Sequence, residues 1–163
     1  MYRTGESKQK ISEKLTSNSC IERSRGLGTR HHDTKSFDDL EELQNFATSL
    51  LECRIIKIRL YYGRLIPTGV VNGIQLVYQN LDNGDIYETT KRFGTHQLIE
   101  DTVYDLDPGE FIEKIKVRSG NIIDYRELRT SENRIISKGG KTGTDRPYSF
   151  EGKVVIGMHG GYG

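Results

Sequence analysis

Residues 54–63, Arg-Ile-Ile-Lys-Ile-Arg-Leu-Tyr-Tyr-Gly, alternate apolar and polar side chains until Gly63 interrupts the pattern, which is typical of a half-buried β-strand. Residues 57–66 align without a gap on residues 114–123. Lys-Ile-Arg-Leu matches Lys-Ile-Lys-Val, Gly63 matches Gly120, and Ile66 matches Ile123. Residues 152–157 resemble the second half of each unit. This self-similarity predicts symmetry-related β-units around one core, in a pseudo-threefold assembly.

The same alternation predicts further strands along the chain. Residues 73–78 and 85–91 flank Asp82-Asn83-Gly84, a sequence favoured in tight hairpin turns. Further strands are predicted at 111–117, 122–130 and 152–158, with a glycine-rich turn at 139–143. Short strands joined by glycine turns predict an all-β sandwich, barrel or prism. The residues expected to share its core are Ile56, Ile58, Leu60, Leu76, Ile115, Val117, Leu128, Val154 and Ile156.

One amphipathic helix is predicted from Ser36 to Cys53, ahead of the first strand. Ser36 as the N-cap, with Asp39 three residues later, forms a variant of the capping box. The apolar residues that follow recur at helical spacing, namely Leu40, Leu43, Phe46, Ala47, Leu50 and Leu51. This apolar stripe is expected to pack against the strands.

The N-terminal region has a different composition from the rest of the chain. Residues 1–35 contain eight Lys or Arg and four Asp or Glu, whereas residues 36–56 contain five acidic residues and one basic residue. The first region is also rich in Ser and Thr and poor in large apolar residues. We therefore predict a disordered basic arm over residues 1–25 and a folded domain over residues 26–163. The positive charge is dispersed and lacks interleaved aromatic residues, so no nucleic-acid partner is predicted.

The composition excludes several classes of protein. The formal net charge is +1, and no apolar run approaches the roughly 20 residues that a membrane-spanning helix needs. The N-terminus lacks the apolar stretch of a signal peptide, and two cysteines cannot form a disulfide framework. A cytoplasmic, reducing location is therefore predicted.

No cofactor, metal or catalytic site is predicted. His31-His32-Asp33 is a polar stretch without further ligands at a diagnostic spacing. Residues 139–143 match half of a phosphate-binding loop, but Ile135 stands where that motif needs its first Gly. Three carboxylates do not meet the spacing of a calcium-binding EF-hand loop: Asp105, Asp107 and Glu110.

Several ordered blocks resemble the jacalin-related lectin domain. The first block is formed by residues 55–58 and 72–78, and the second by residues 105–106, 109–112 and 117–120. The third is formed by residues 128–131, 139–143 and Phe150, and the fourth is residues 155–163. The last block reads Val-Ile-Gly-Met-His-Gly-Gly-Tyr-Gly and is similar to the family's Ile-Val-Gly-Phe-x-Gly-x-x-Gly. The resemblance covers Cys53–Gly163 and implies an all-β fold, a β-prism of three four-stranded Greek-key sheets.

Two features depart from the family pattern. The glycine-rich residues 25–28 and Phe-Asp-Asp at 37–39 match the family's start, but the predicted helix intervenes before Ile55. Either a helix is inserted in the first strand, or the Phe-Asp-Asp match is a coincidence. The family's sugar site is completed by Gly-x-x-x-Asp in the last loop. Gly163 occupies the place of that Gly, so the Asp and the last strand are expected to be missing.

The resemblance implies a carbohydrate-binding domain for mannose- or galactose-type sugars, with free carbohydrate or glycoprotein glycans as partners. The residues implied in the site are Gly26, Gly28, Gly160, Gly161, Tyr162 and Gly163. Tyr162 would offer a stacking face for sugar C–H groups, while the alternative is that the glycines only make turns. The alternative function is a β-prism protein-interaction scaffold without sugar binding. No enzymatic activity is predicted, and self-association into a homo-oligomer is a further hypothesis.

Overall fold

The computed structural model describes residues 35–47, 50–65, 68–90, 92–93, 97–119, 123–140, 144–149 and 154–162. The predicted arm over residues 1–25 lies outside the described residues. No helix in these ranges is both long enough and apolar enough to cross a membrane. The elements are β1 (Lys35–Asp38), α1 (Asp39–Leu43), a 3-10 helix (Leu50–Glu52), β2 (Cys53–Leu65), β3 (Thr68–Asn80), β4 (Ile86–Glu88), β5 (Arg92–Phe93), β6 (Gln97–Asp105), β7 (Ile112–Ser119), β8 (Ile123–Thr130), β9 (Ile135–Gly139), β10 (Thr144–Ser149) and β11 (His159–Tyr162).

The described strands form three antiparallel sheets. One sheet has the order β4-β3-β2-β6, with β5 also paired to β3, and a second has the order β9-β8-β7-β10. In both, three consecutive strands precede one that returns beside the first, which is a Greek key; in the five-stranded sheet the short β5 intervenes before β6 returns beside β2. The third sheet, in the described part of the chain, consists of β1 and β11. The prediction of an all-β prism with Greek-key sheets is confirmed.

The two Greek keys repeat each other down to their irregularities. The register between β2 and β3 shifts at residues 55–57, and the register between β7 and β8 shifts at residues 112–114. A second pair of register shifts lies at 61–62 and at 118–119. Each register shift in the first sheet and its counterpart in the second are as far apart in the sequence as the repeated units 57–66 and 114–123. Because a β-bulge bends its strand locally, matching bulges give the two sheets matching curvature.

The core lies between the sheets and contains most of the predicted residues. Ile58, Leu60, Leu76, Leu128 and Val117 are buried as predicted, and Ile115 is partly buried against the same cluster. The prediction was wrong for three positions that are only half-buried: Ile56, Val154 and Ile156. Ile56 lies in the first bulge, so Ile55 takes the core position instead. Val155, in an irregular segment, is buried in place of its neighbours.

The predicted strand at residues 152–158 is also corrected by the structure. Residues 154–158 form no regular element, and the strand begins only at His159. The physical reason is that its backbone bonds to different elements along its length: the Val155 amide donates to the Ile112 oxygen on β7 at 3.4 Å, and the Met158 oxygen accepts from the Asp39 amide of α1 at 2.9 Å. Between them Gly157 packs against α1, where an added Cβ atom would lie 3.0 Å from Leu40 Cδ2.

The predicted helix over residues 36–53 is much shorter than its apolar spacing indicated. Ser36 lies in β1, and α1 covers only Asp39–Leu43. Asp38, not Ser36, is the N-cap, and its Oδ1 accepts a hydrogen bond from the Leu40 amide at 3.0 Å. Ser36 cannot cap the helix because its backbone pairs with β11. Cys53 begins β2 and does not end a helix.

A buried amide lies at the centre of the five-stranded sheet. Gln75, on β3, is 3% exposed. Its Oε1 accepts hydrogen bonds from the Tyr61 hydroxyl at 2.9 Å and from Arg59 Nη1 at 3.3 Å. Its Nε2 donates to the backbone oxygen of Thr89 at 2.7 Å. These contacts join β2, β3 and the end of β4 through one side chain.

We expect Ile58→Ala to lower the free energy of unfolding by about 2–5 kcal/mol, because Ile58 is fully buried between the sheets. Urea unfolding followed by circular dichroism measures this change. Ile86→Ala is the matched control, since Ile86 is 53% exposed on β4 and its loss should leave stability nearly unchanged. Equal effects of the two substitutions would contradict the assignment of the core.

Candidate functional site

The described part of the candidate site is the ribbon formed by β1 and β11. Its register pairs Lys35 with Tyr162 and Phe37 with Gly160. Gly160 and Gly161 are exposed, and Tyr162 is half-buried. The two glycines lie in a strand and not in a turn. The other predicted site residues lie outside the described residues: Gly26, Gly28 and Gly163.

The ring of Phe37 occupies the space that Gly160 leaves open. A Cβ atom on Gly160 would be 3.1 Å from Phe37 Cε1 and 3.3 Å from its Cζ. The same ring lies 6.3 Å from the Tyr162 ring between centroids, at an interplanar angle of 53°. Tilted aromatic pairs at this separation attract each other. Gly160 therefore admits Phe37, and Phe37 supports the ring of Tyr162.

A buried carboxylate fixes the chain just before β11. Asp39 is fully buried, and its Oδ2 accepts hydrogen bonds from the Tyr78 hydroxyl and from the Met158 amide, both at 2.9 Å. The Asp39 amide donates to the Met158 oxygen at 2.9 Å. Asp39 therefore joins the start of α1, strand β3 and the entry to β11. The sequence placed Asp39 in a capping box and in the Phe-Asp-Asp match, and neither pattern gave a signal for this role.

The segment between β1 and β2 docks on the edge of the five-stranded sheet. Glu42 Oε2 accepts hydrogen bonds from the Thr90 amide at 3.1 Å and from the Tyr87 hydroxyl at 3.3 Å. The rings of Phe46 and Tyr87 lie 5.2 Å apart, and Leu43 is fully buried in the core. In the structure α1 and the 3-10 helix lie between β1 and β2, and Phe37 and Asp38 pair with β11.

Two of the three carboxylates in residues 105–110 form ion pairs: Glu110 with Arg134, and Asp105 with Lys57, whose Nζ lies 3.3 Å from its Oδ1. Glu110, whose side chain is fully buried, binds Arg134 through both carboxylate oxygens. Its Oε2 also accepts from the Asp107 amide at 2.8 Å. Arg134 Nη2 also donates a hydrogen bond to the backbone oxygen of Asp105 at 2.6 Å. Among the residues that the structure describes, no three His, Cys, Asp or Glu side chains are grouped as metal ligands.

The ion pair determines the ionisation of Glu110. Burial by itself raises the pKa of Glu110, but hydrogen bonds from Arg134, from the Thr130 side chain and from the Asp107 amide outweigh it and hold the pKa below its ordinary value. The charged carboxylate therefore stabilises the connection between the loop before β7 and the turn after β8.

The ribbon can serve as a surface of polar backbone groups. Within the described ranges β11 pairs only with β1, so the backbone N–H and C=O groups on its other edge have no strand partner there. Glycines at positions 160 and 161 leave these groups accessible, because no side chain covers them. Such a surface can donate and accept hydrogen bonds with small neutral polar ligands.

Comparison with solved structures places this fold among known lectins. A single-chain recombinant jacalin is similar with a TM-score of 0.66 and 21% sequence identity, over 90% of this chain and 91% of that chain. The Calystegia sepium agglutinin is similar with a TM-score of 0.64 and 15% identity, over 86% of this chain and 87% of that chain. A prostate-specific glycoprotein lectin has a TM-score of 0.55 and 26% identity, over 66% of this chain and 72% of that chain. No curated protein matches this chain.

The three sheets and the Greek keys define a β-prism of the kind found in lectins. The family model described as the jacalin-like lectin domain matches residues 31–163, and the chain belongs to that family. The match includes Phe-Asp-Asp and the whole ribbon. The family match and the lectin neighbours together support carbohydrate binding.

We expect Gly160→Ala to destabilise the protein by about 1–3 kcal/mol, because the added methyl group would press on the Phe37 ring. In a Phe37→Leu background the same substitution should cost less, since the ring is gone. Urea unfolding of the four proteins in this double-mutant cycle measures the difference. An identical cost in both backgrounds would show that the close contact is absent.

We also expect stability to fall at acid pH through Glu110. Because its folded pKa is depressed, its contribution is present above its ordinary pKa of 4.5 and disappears as the pH falls below that value toward the folded pKa. Urea unfolding between pH 7 and pH 3 should show a shallower pH dependence for Glu110→Gln than for the wild type. The exposed Glu41→Gln is the control and should keep the wild-type slope; a Glu110→Gln slope equal to it would disprove the assignment.

Proposed function

We propose that this domain binds mannose- or galactose-type sugars at the β1–β11 ribbon, through the backbone of Gly160 and Gly161 and the ring of Tyr162. The observation that carries the proposal is that the exposed Gly160 and Gly161 lie beside Tyr162, whose ring packs against Phe37. Three further residues are proposed as part of the site: Gly26, Gly28 and Gly163.

The chemistry of a pyranose suits such a surface. Its hydroxyl groups are neutral donors and acceptors, which pair with backbone C=O and N–H groups held at fixed positions. Its C–H groups form an apolar patch that packs on an aromatic face. The Asp39 contacts to Met158 hold the start of β11 in place, so the backbone groups are preorganised before the sugar arrives.

The proposal is tested by titration calorimetry of the folded chain with methyl α-mannoside and methyl α-galactoside. Tyr162→Ala should weaken binding roughly 2- to 10-fold, the amount expected for loss of one aromatic contact. Tyr125→Ala is the matched control, because Tyr125 is a half-buried tyrosine on β8, in another sheet. Its affinity should equal that of the wild type. Equal losses in the two variants would contradict the proposed site.

The alternative of a protein-interaction scaffold draws on a different observation. Three large apolar side chains are exposed on strands that lie at sheet edges in the described part of the chain: Ile86 on β4, Val103 on β6 and Ile135 on β9. Such edges offer apolar contacts and unpaired backbone groups to another chain. Failure of the folded wild type to bind either sugar would favour this alternative. Self-association and the cytoplasmic location stay predictions.

A further inference from the structure

The sequence contains two Asn-Gly pairs, Asn72-Gly73 and Asn83-Gly84, and the structure places them in opposite surroundings. Because glycine has no side chain, its backbone nitrogen can approach the side chain of the residue before it. This makes the asparagine of an Asn-Gly pair susceptible to loss of its side-chain amide. The surroundings of each pair therefore decide which asparagine reacts in the folded protein.

The strand around Asn72 opposes this reaction. Asn72 is 6% exposed on β3. Gly73 pairs with Tyr61 on β2 and with Phe93 on β5, so strands flank it on both sides. Its backbone nitrogen can turn toward the Asn72 side chain only if these strands separate. Such an opening in the middle of a sheet costs a large part of the free energy of unfolding.

Asn83, in contrast, lies in the exposed turn between β3 and β4. Its Nδ2 donates to Asp85 Oδ2 at 3.0 Å, and its Oδ1 accepts from the Asp85 amide at 2.9 Å. Both hydrogen bonds are exposed. Water competes for exposed hydrogen bonds, so these two hold the side chain only weakly.

The surroundings of Gly84 are open as well. A Cβ atom built on Gly84 would meet no atom of the described part of the chain within 4 Å, apart from its chain neighbours. The Gly84 amide donates to the Asn80 oxygen at 2.8 Å, and this bond must open before the nitrogen can react. A turn bond of this kind opens at a lower cost than paired strands do.

We propose that Asn83 is a site of spontaneous deamidation, with water as the co-reactant. The Gly84 backbone nitrogen gives its proton to solvent and attacks Asn83 Cγ. A bond forms between these two atoms, the Cγ–Nδ2 bond breaks, and Nδ2 takes up a proton and leaves as ammonia. Water then opens the cyclic imide at either carbonyl, which gives aspartate or isoaspartate without any oxidation or reduction. The site lies apart from the β1–β11 ribbon and does not depend on sugar binding.

The product changes the turn in two ways. A carboxylate at residue 83 replaces the Nδ2 donor and adds a negative charge between Asp82 and Asp85, which repel it. In the isoaspartate form the backbone also gains one methylene group. The longer turn no longer suits the register in which Tyr78 faces Tyr87, because turn length fixes the register of a hairpin. Deamidation is therefore expected to loosen β4 from β3.

The test is incubation of the full chain at pH 8.5 and 37 °C, followed by peptide mass spectrometry that measures conversion at Asn72 and at Asn83 separately. In the folded chain Asn83 should convert at least about tenfold faster than Asn72, because only its turn opens readily. In guanidinium chloride the two rates should agree within about threefold, since both asparagines precede glycine and the unfolded chain protects neither strongly. Equal rates at the two sites in the folded chain, or a faster rate at Asn72, would overturn the proposal.

The consequence for the turn is tested on the aged protein. After conversion at Asn83 the Tm should fall by about 2–4 °C, the shift expected from loss of one hydrogen bond in a chain of this length. Asn83→Ser is the matched control, because it lacks the reacting amide and should keep its Tm through the same incubation. A fall of equal size in Asn83→Ser would show that the damage lies elsewhere and would overturn the expected loosening of β4.

Discussion

The carboxylate of Asp39 is the contact on which the closure of this prism depends. A fully buried carboxylate is tolerated only when hydrogen bonds replace the water that it has lost. Its donors come from distant parts of the sequence, the Tyr78 hydroxyl on β3 and the Met158 amide before β11. The first and the last described strands are therefore tied to each other and to the five-stranded sheet at one point.

The candidate site is built outward from that point. After Met158 the chain enters β11, where Gly160 receives the ring of Phe37, two residues before Asp39 in the sequence. Phe37 in turn contacts Tyr162. The Phe-Asp-Asp sequence thus has a separate task for each residue: Phe37 supports the surface ring, Asp38 caps α1, and Asp39 anchors the ribbon. A short motif accounts for much of the local geometry.

The alternation of apolar and polar residues predicted β2, β3, β7 and β8 well. Each of these strands has one face in the core, so every second side chain is apolar. Strands β6, β9 and β10 were missed, since each pairs on one side only in the described sheets and carries a weaker pattern. The resemblance identified Gly160, Gly161 and Tyr162. The role of Asp39 could not be predicted from local sequence, because its burial depends on partners that lie far along the chain.

The correspondence of the two Greek keys also creates a hazard during folding. Because the bulges match, β2 could also pair with β8 along the shorter length of that strand, and such exchange between similar units is a known route to misassembly. Side-chain chemistry opposes it. In the native pairing the neutral amide of Gln75 accepts hydrogen bonds from Arg59 and Tyr61 at a position that is 3% exposed. On β8 that position is held by Glu127, so the exchanged pairing would bury a carboxylate together with Arg59, and burying such a pair carries a desolvation cost. An uncharged side chain at residue 75 therefore favours the native partner of β2 over its counterpart in the other sheet.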